Sequence, residues 1–336
     1  MFKPQYQITE YFLKLAEQIA ATSAKIEAAD ITFPLMVRLQ KEALDRSAHS
    51  STSIEGNMLS LAQVSALSEK RAVSADFKQK QEVLNYIEAL QWIIRRKDTP
   101  LSQKHLCTMH SIILKSLRTD KKTGSYKVTQ NYVVNEKGRV VHTPPPPKKC
   151  PQLVDELLHW IQHGRGGHPL IQSAIFHHQF VTIHPFSDGN GRLARIGAQW
   201  ILYRKKFDPH HIISLDDFYA ENRTRYYEKI QQTRELDYDF THWIEYVGEG
   251  ILETIQKAHS RIHALSYCRK TKIIITPRQE EVIDALRLHG ALGSRDLGKM
   301  LRINRARVHQ LMSPLVKAKI IKKEGSARAT RYSIKR

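Results

Sequence analysis

Residues 181–195 read VTIHPFSDGNGRLAR. A histidine, one carboxylate, two glycines around an asparagine and two arginines fall within twelve residues of that stretch, just ahead of a helical run. Gly189 and Gly191 let backbone amides approach an anion closely, and the start of the following helix offers free N–H groups and a dipole that favours negative charge. Arg192 and Arg195 are three residues apart on neighbouring helix positions, so both guanidiniums reach the same polyphosphate. The stretch reads as an anion cradle.

It is not a P-loop, because no Lys-Ser or Lys-Thr pair closes it, and it lacks the glycine spacing of a dinucleotide fold. Asp188 is the only acid in the loop, placed where a hard cation bridges carboxylate and phosphate oxygens. His184 stands at the mouth as the general base for a hydroxyl attacking that phosphate. These residues point to phosphoryl or nucleotidyl transfer.

Such a site needs helices to hold it, and the chain supplies them. Apolar residues recur at helical spacing in YFLKLAEQIAATSAKIEAA, PLMVRLQKEALDRSAH and SLAQVSALSEK, where Ser60 and Gln63 have capping-box spacing. Helices are also expected over 77–95 and 102–117. The segment 126–142 carries β-branched and aromatic residues on both sides of NEKG and reads as a β-hairpin, followed by an extended exit through Pro144, Pro145, Pro146 and Pro147. Helical periodicity resumes in PQLVDELLHWIQ, PLIQSAIFHHQFVTI, RLARIGAQWILYRK, LDDFYAENRTRYYEKIQQT and YDFTHWIEYVGEGILETIQKAHSRIHAL. The fold class expected is mostly α.

A boundary is expected near 269–276. Beyond it come three short helices, with Ser294 as the cap of the second, and a two-stranded wing around Gly325, the layout of a winged helix-turn-helix. This gives three regions: an N-terminal helical region over 1–100, the catalytic region over 101–268 and the winged region over 269–336.

Composition bounds the class. At 336 residues with 41% hydrophobic content, the chain is long enough for two or three domains. It has no apolar run of bilayer-spanning length and no secretory signal at its start, so a membrane is not among the expected partners. Three widely separated cysteines, Cys107, Cys150 and Cys268, argue against a disulfide framework and fit a reducing, cytoplasmic setting. Export into another cell by a route without a signal peptide stays open. The net charge is +20, and residues 271–336 hold 16 Lys and Arg against 5 Asp and Glu, so more than half of the excess lies in the last fifth of the chain.

HPFSDGNGRLAR resembles the motif of the Fic family, His-x-Phe-x-(Asp/Glu)-Gly-Asn-Gly-Arg-x-x-Arg, at every specified position. The resemblance covers roughly 77–265. It implies an all-helical Fic core and transfer of AMP from ATP to a protein hydroxyl, with diphosphate leaving. It also implies that His184 deprotonates the target, that Phe186 anchors the loop in the core, and that Asp188 holds Mg²⁺ (or Mn²⁺). The amides of Gly189, Asn190 and Gly191 and the Asn190 side chain would line the anion hole. Arg192 would contact the β phosphate and Arg195 the γ phosphate. The hairpin over 126–142 resembles the family's flap, which binds an extended target segment by strand addition. More loosely, Tyr227 and Gln231, one turn apart, are candidates for the adenine side of the nucleotide, with Tyr226 as the core-packing alternative.

A second stretch, SSTSIEGN, resembles the family's inhibitory signature through Ser51, Glu55 and Gly56. Gly56 terminates a helix and leaves Glu55 projecting from its last turn, where a bidentate pair with Arg195 would take the γ-phosphate position. In this family the same glutamate also orients a water that removes AMP from a modified protein. In the basic tail, Arg305, Arg307 and His309 near the leading end of the third helix, and Lys322, Lys323, Arg328 and Arg331 on the wing, are candidates for DNA contact. The competing function is a DNA-binding transcriptional regulator whose Fic core senses nucleotide, and a homodimer is among the assemblies expected.

Overall fold

Side-chain caps or an early proline start the N-terminal helices. Thr9 accepts from the Phe12 amide ahead of α1 (Glu10–Glu27), and Pro34 lies in the first turn of α2 (Phe33–Ile54). Ser60 and Gln63 form a reciprocal capping box at α3 (Leu61–Ser68). Asp76 caps α4 (Phe77–Ile94) and Ser102 caps α5 (Gln103–Ile113).

The computed structural model describes all residues except 30, 118–122, 135–136, 164–166, 209, 271–274, 319, 326–329 and 335–336. It divides into two units, one of residues 1–28 and 32–259 and the other of residues 29–31 and 260–336. Among the described residues no helix is long and apolar enough to cross a membrane.

Within the first unit a short hairpin, β1 (Val133–Val134) against β2 (Val140–His142), has a register shift between its two pairs. The strands are far shorter than the span 126–142; at its start the Lys127 amide donates to the Pro185 carbonyl instead of a strand partner. A 3₁₀ turn at Pro147–Lys149 leads into α6 (Cys150–His163), followed by α7 (Pro169–Ile183) and α8 (Asn190–Arg204). Over 170–183 every residue but Gln179 is buried, so α7 is a central helix with no solvent face. Its polar side chains are satisfied by neighbours: Ser173 Oγ donates to the Ala198 carbonyl at 2.9 Å, and His178 Nε2 pairs with the Ile230 carbonyl at 2.9 Å.

The run LDDFYAENRTRYYEKIQQT is two helices, α9 (Leu215–Glu221) and α10 (Arg223–Glu235). Helical periodicity continues through the break. Asn222, with φ −137° and ψ 75°, leaves the helical region, and its side chain caps α10 by accepting from the Arg225 amide at 3.0 Å. Then α11 runs over Thr241–Lys270.

The second unit holds α12 (Pro277–His289), β3 (Leu292–Gly293), α13 (Ser294–Met300), α14 (Arg305–Lys317), β4 (Ile321–Glu324) and β5 (Arg331–Ile334). The antiparallel sheet has the order β3-β5-β4. Thr276 and Gln279 make a capping box at α12. Ser294, expected as a cap, is instead the first residue of α13; Gly293, paired in β3, holds the cap position. Val282, Leu297, Val308, Leu315 and Tyr332 form part of this unit's own core.

Candidate active site

The loop between α7 and α8 is shaped from both ends. His184 ends α7 in the left-handed region (φ 49°, ψ 56°), an uncommon conformation for a side chain larger than glycine and one often stored at functional sites. Its Nδ1 lies 3.2 Å from the Val181 carbonyl, which fixes the tautomer with the proton on Nδ1 and leaves the Nε2 lone pair as the basic atom. Burial pushes the imidazole down to about 4; the Val181 carbonyl opposes the shift, and Lys127, Arg234 and His142 add to it. The ring is therefore neutral at physiological pH.

Phe186 is fully buried, stacked on His110 with ring centroids 4.1 Å apart at 12°. Its ring acts through the loop it anchors. Asn190 is 2% exposed and spends both side-chain polar groups on the Phe186 backbone: Oδ1 accepts from its amide at 3.0 Å, and Nδ2 donates to its carbonyl at 2.8 Å. Its side chain therefore shapes the loop rather than lining an anion hole, as expected from the resemblance; the Asn190 amide remains at the start of α8.

Gly189, with φ 75°, is the N-cap of α8 and turns the chain so that the first amides of the helix are free of intrahelical partners. Asp188 Oδ1 accepts from the Gly189 amide at 2.5 Å and lies 3.5 Å from Arg192 Nη2. Its side chain is 55% exposed. No group of three or more metal-ligating side chains exists among the described residues. One exposed carboxylate beside an anion cradle fits Mg²⁺, which takes few protein ligands and fills its shell with phosphate oxygens and water. Arg192 is 5% exposed, and its Nε has no hydrogen-bond partner among the described residues.

Arg195 is the hub. Nε donates to Ser51 Oγ at 2.7 Å, and Nη2 donates to the Ser51 carbonyl at 3.0 Å and to Glu55 Oε1 at 2.7 Å. The pair is made through one carboxylate oxygen, not two as expected, and the Nη2 that Glu55 uses is shared with the Ser51 carbonyl. Glu55 is the C-cap of α2, and Gly56 follows at φ 96°. A Cβ on Gly191 would come within 2.7 Å of Glu55 Oε1, so the carboxylate stands directly over the first turn of α8. The cradle holds an anion, and that anion is the protein's own.

The hairpin is tied to the same loop. The Lys127 amide donates to the Pro185 carbonyl at 2.8 Å, Asn131 Nδ2 to the Phe186 carbonyl at 3.0 Å, and His142 Nε2 lies 2.8 Å from the Thr182 carbonyl. Tyr132, Val134 and Val140 are exposed.

On α10, Tyr226 is buried, its hydroxyl 2.8 Å from His177 Nε2, which makes it a packing residue. Tyr227 is 43% exposed and carries the Arg223 guanidinium 5.5 Å over its ring. Gln231 donates to Glu235 at 3.1 Å, while its buried Oε1 has no partner among the described residues. In the second unit Arg305, Arg307, His309, Lys322, Lys323 and Arg331 are exposed, and Arg328 lies outside the described residues.

Sequence reasoning missed Asp216, Asp217, Asn131 and Lys127. Arg46 and Ser50 of α2 both bind Asp217, at 3.0 and 2.7 Å, so α9 clasps the helix that delivers Glu55. The adjacent carboxylates in LDDF, the second of them able to meet an arginine of α2, were the available signal.

Residues 100–202, from just before α5 into α8, match the Fic/DOC family model. This stretch resembles a Fic domain. The chain is 31% identical to protein adenylyltransferase Fic of Culex quinquefasciatus over 207 residues, 60% of this chain and 39% of that protein. It is also 31% identical to protein adenylyltransferase Fic of Nematostella vectensis over 60% of this chain and 46% of that one. The chain thus spans less than half the length of these curated relatives. The crystal structure of a Fic family protein from Desulfovibrio desulfuricans G20 superposes with a TM-score of 0.68 at 24% identity, covering 99% of this chain and 98% of that one, a likeness of fold.

Proposed function

We propose that the chain is a protein adenylyltransferase that moves AMP from ATP to a Ser, Thr or Tyr hydroxyl of a target protein and of itself, and that Glu55 holds it inhibited. The observation that carries this reading is the Glu55 carboxylate bound to Arg195 over the first turn of α8, in the same loop that presents His184.

The chemistry follows from these positions. His184 Nε2 takes the proton of the target hydroxyl, whose oxygen attacks the α phosphorus in line; the bond to the bridging oxygen breaks and diphosphate leaves. The α8 amides and Arg192 bind the phosphates, and Arg195 receives the γ phosphate once Glu55 has moved. Asp188 would hold Mg²⁺, which supplies charge neutralisation for the leaving diphosphate. Tyr227 and Gln231 offer a ring face and an unpaired carbonyl to the adenine. The hairpin presents an exposed apolar strand pair to which an extended target segment adds.

Since in-line attack tolerates little misplacement, a carboxylate in the γ-phosphate position lowers rate more than affinity. Glu55 keeps one oxygen on Arg195 and is 33% exposed, which leaves a carboxylate edge for a water that would strip AMP from a modified protein. We propose this reverse activity for the same site.

For the second unit we propose duplex DNA as partner. Its support is the exposed basic first turn of α14 beside the Asn304 cap, and the basic strands β4 and β5. Label from α-labelled ATP with Mg²⁺, offered to the protein and to a cell lysate, tests the enzyme: transfer that is lost in His184→Ala supports it. No labelling by any variant with any nucleotide would leave the nucleotide-sensing DNA regulator in its place.

A further inference from the structure

Arg195 meets two acids of different standing. Glu55 sits at a helix end beside Gly56, is one-third exposed, and reaches Nη2 at 2.7 Å. Asp216, on α9, has a side chain 4% exposed; its Oδ1 lies 3.5 Å from Arg195 Nε, an ion pair longer than a hydrogen bond. Its Oδ2 accepts from the Tyr86 hydroxyl at 3.1 Å, itself fully buried. Burial pushes the Asp216 carboxyl up to about 6, and the Arg195 guanidinium pulls it back towards the ionised form. One acid is free to leave, and the other is locked in the core.

A buried guanidinium without a counter-charge is among the costlier defects of a protein interior. The Arg195 side chain is 1% exposed, so the departure of Glu55 would strand it were Glu55 its sole partner. We propose that Asp216 is the standing counter-ion of Arg195, the group that lets Glu55 engage and withdraw without leaving a bare buried charge. Asp216 is then a positioning residue: it keeps the guanidinium ionised, paired and in place for whichever anion, Glu55 or a γ phosphate, occupies the cradle. This rests on the autoinhibited reading above, and its test is separable from it.

The test is a double-mutant cycle on the full chain: Glu55→Gln, Asp216→Asn and both together, followed by urea unfolding at neutral pH. Each single change leaves one acid on Arg195 and shifts the unfolding equilibrium modestly. The double change shifts it at least about tenfold more than the product of the singles. A double shift within about twofold of that product overturns the proposal. So does an Asp216→Asn protein that cannot fold with Glu55 intact, since one acid would then not suffice. Tyr86→Phe combined with Glu55→Gln is the control: it removes a hydrogen bond to Asp216 but no charge, and its effects multiply. A second readout is the stabilisation by ATP over ADP, which is larger in the double variant than in Glu55→Gln alone because the γ phosphate restores the missing charge. Failure of ATP to bind at all would count against adenylyl transfer, while the unfolding cycle would still decide the role of Asp216.

Discussion

Arg195 Nη2 donates to Glu55 Oε1 at 2.7 Å across 140 residues of chain. The contact joins the end of α2 to the first turns of α8. It is made where Ser51, from the same turn of α2, already holds Nε and shares Nη2 of the guanidinium. Charge-assisted bonds in so buried a setting are short and strong, and they place the carboxylate over Gly191.

Gly191 is where that placement is most easily disturbed. A methyl group there would meet Glu55 Oε1 at 2.7 Å and Arg195 Nη1 at 3.3 Å. Gly191→Ala should therefore loosen Glu55 and also crowd the cradle. Within a Glu55→Gly background we expect it to weaken ATP binding about tenfold, roughly 1.4 kcal/mol, by calorimetric titration. Unchanged affinity would place the phosphates elsewhere.

Asn190→Ala removes two buried hydrogen bonds to the Phe186 backbone. The Phe186 amide is left without its partner while the carbonyl keeps Asn131 Nδ2, and one orphaned main-chain group costs about 1–3 kcal/mol, so a loss of that size in urea unfolding is expected. Transfer activity should fall further than stability, because the loop also carries His184. A stable variant with full activity would show that the side chain does not set the loop.

The buried imidazoles give the acid behaviour its sign. Burial lowers His177 well below its usual value, His178 to about 3, and His184 and His211 to about 4. A histidine depressed in the folded state binds its proton more readily when unfolded, so stability is full above about 6.5 and is lost as pH falls from there towards 4. Asp208 and Asp216, raised to about 6 by burial, oppose this, since their contribution grows as pH falls through the same window. Four strongly depressed histidines against two raised acids predict a net loss of melting temperature between pH 6.5 and 4.5, checked by calorimetry across that range. For His184 itself, an NMR titration assigned with His184→Ala should show a midpoint below 5; one near 6.5 would contradict its burial.

The basic second unit should bind duplex DNA with steep salt dependence. Five described candidate cations, Arg305, Arg307, Lys322, Lys323 and Arg331, give an expected slope of log K against log salt of about −4 to −5. Replacing Arg305 and Arg307 by Ala should reduce that slope by about 2 in mobility-shift titrations. Absent or salt-insensitive binding removes DNA as the partner.

The site motif was legible because its chemistry is contiguous: His184, Asp188, Arg192 and Arg195 share one loop and one helix, and glycine spacing between them has few other uses. Glu55 was legible through its own short signature and the glycine that follows it. Asp216 was not, since its role depends on an arginine 21 residues earlier and a tyrosine 130 residues earlier, and no local spacing encodes such pairs. Asn190 was legible as a site residue but not in its role, because an asparagine offers the same donor and acceptor to a phosphate or to a neighbouring peptide group. The break between α9 and α10 was hidden because apolar periodicity runs through it while one cap, Asn222, interrupts the backbone. At the start of the hairpin segment a tertiary bond, from the Lys127 amide to the Pro185 carbonyl, takes a main-chain donor that local strand propensity would pair.

The most direct test of Glu55 as the occupant of the cradle compares wild type with Glu55→Gly in transfer of label from α-labelled ATP to the protein itself, with His184→Ala as baseline. Glu55→Gly should label at least about tenfold faster than wild type, a barrier difference of roughly 1.4 kcal/mol or more. Equal rates for the two, both above the His184→Ala baseline, would show an active site that Glu55 does not restrain and would contradict the account.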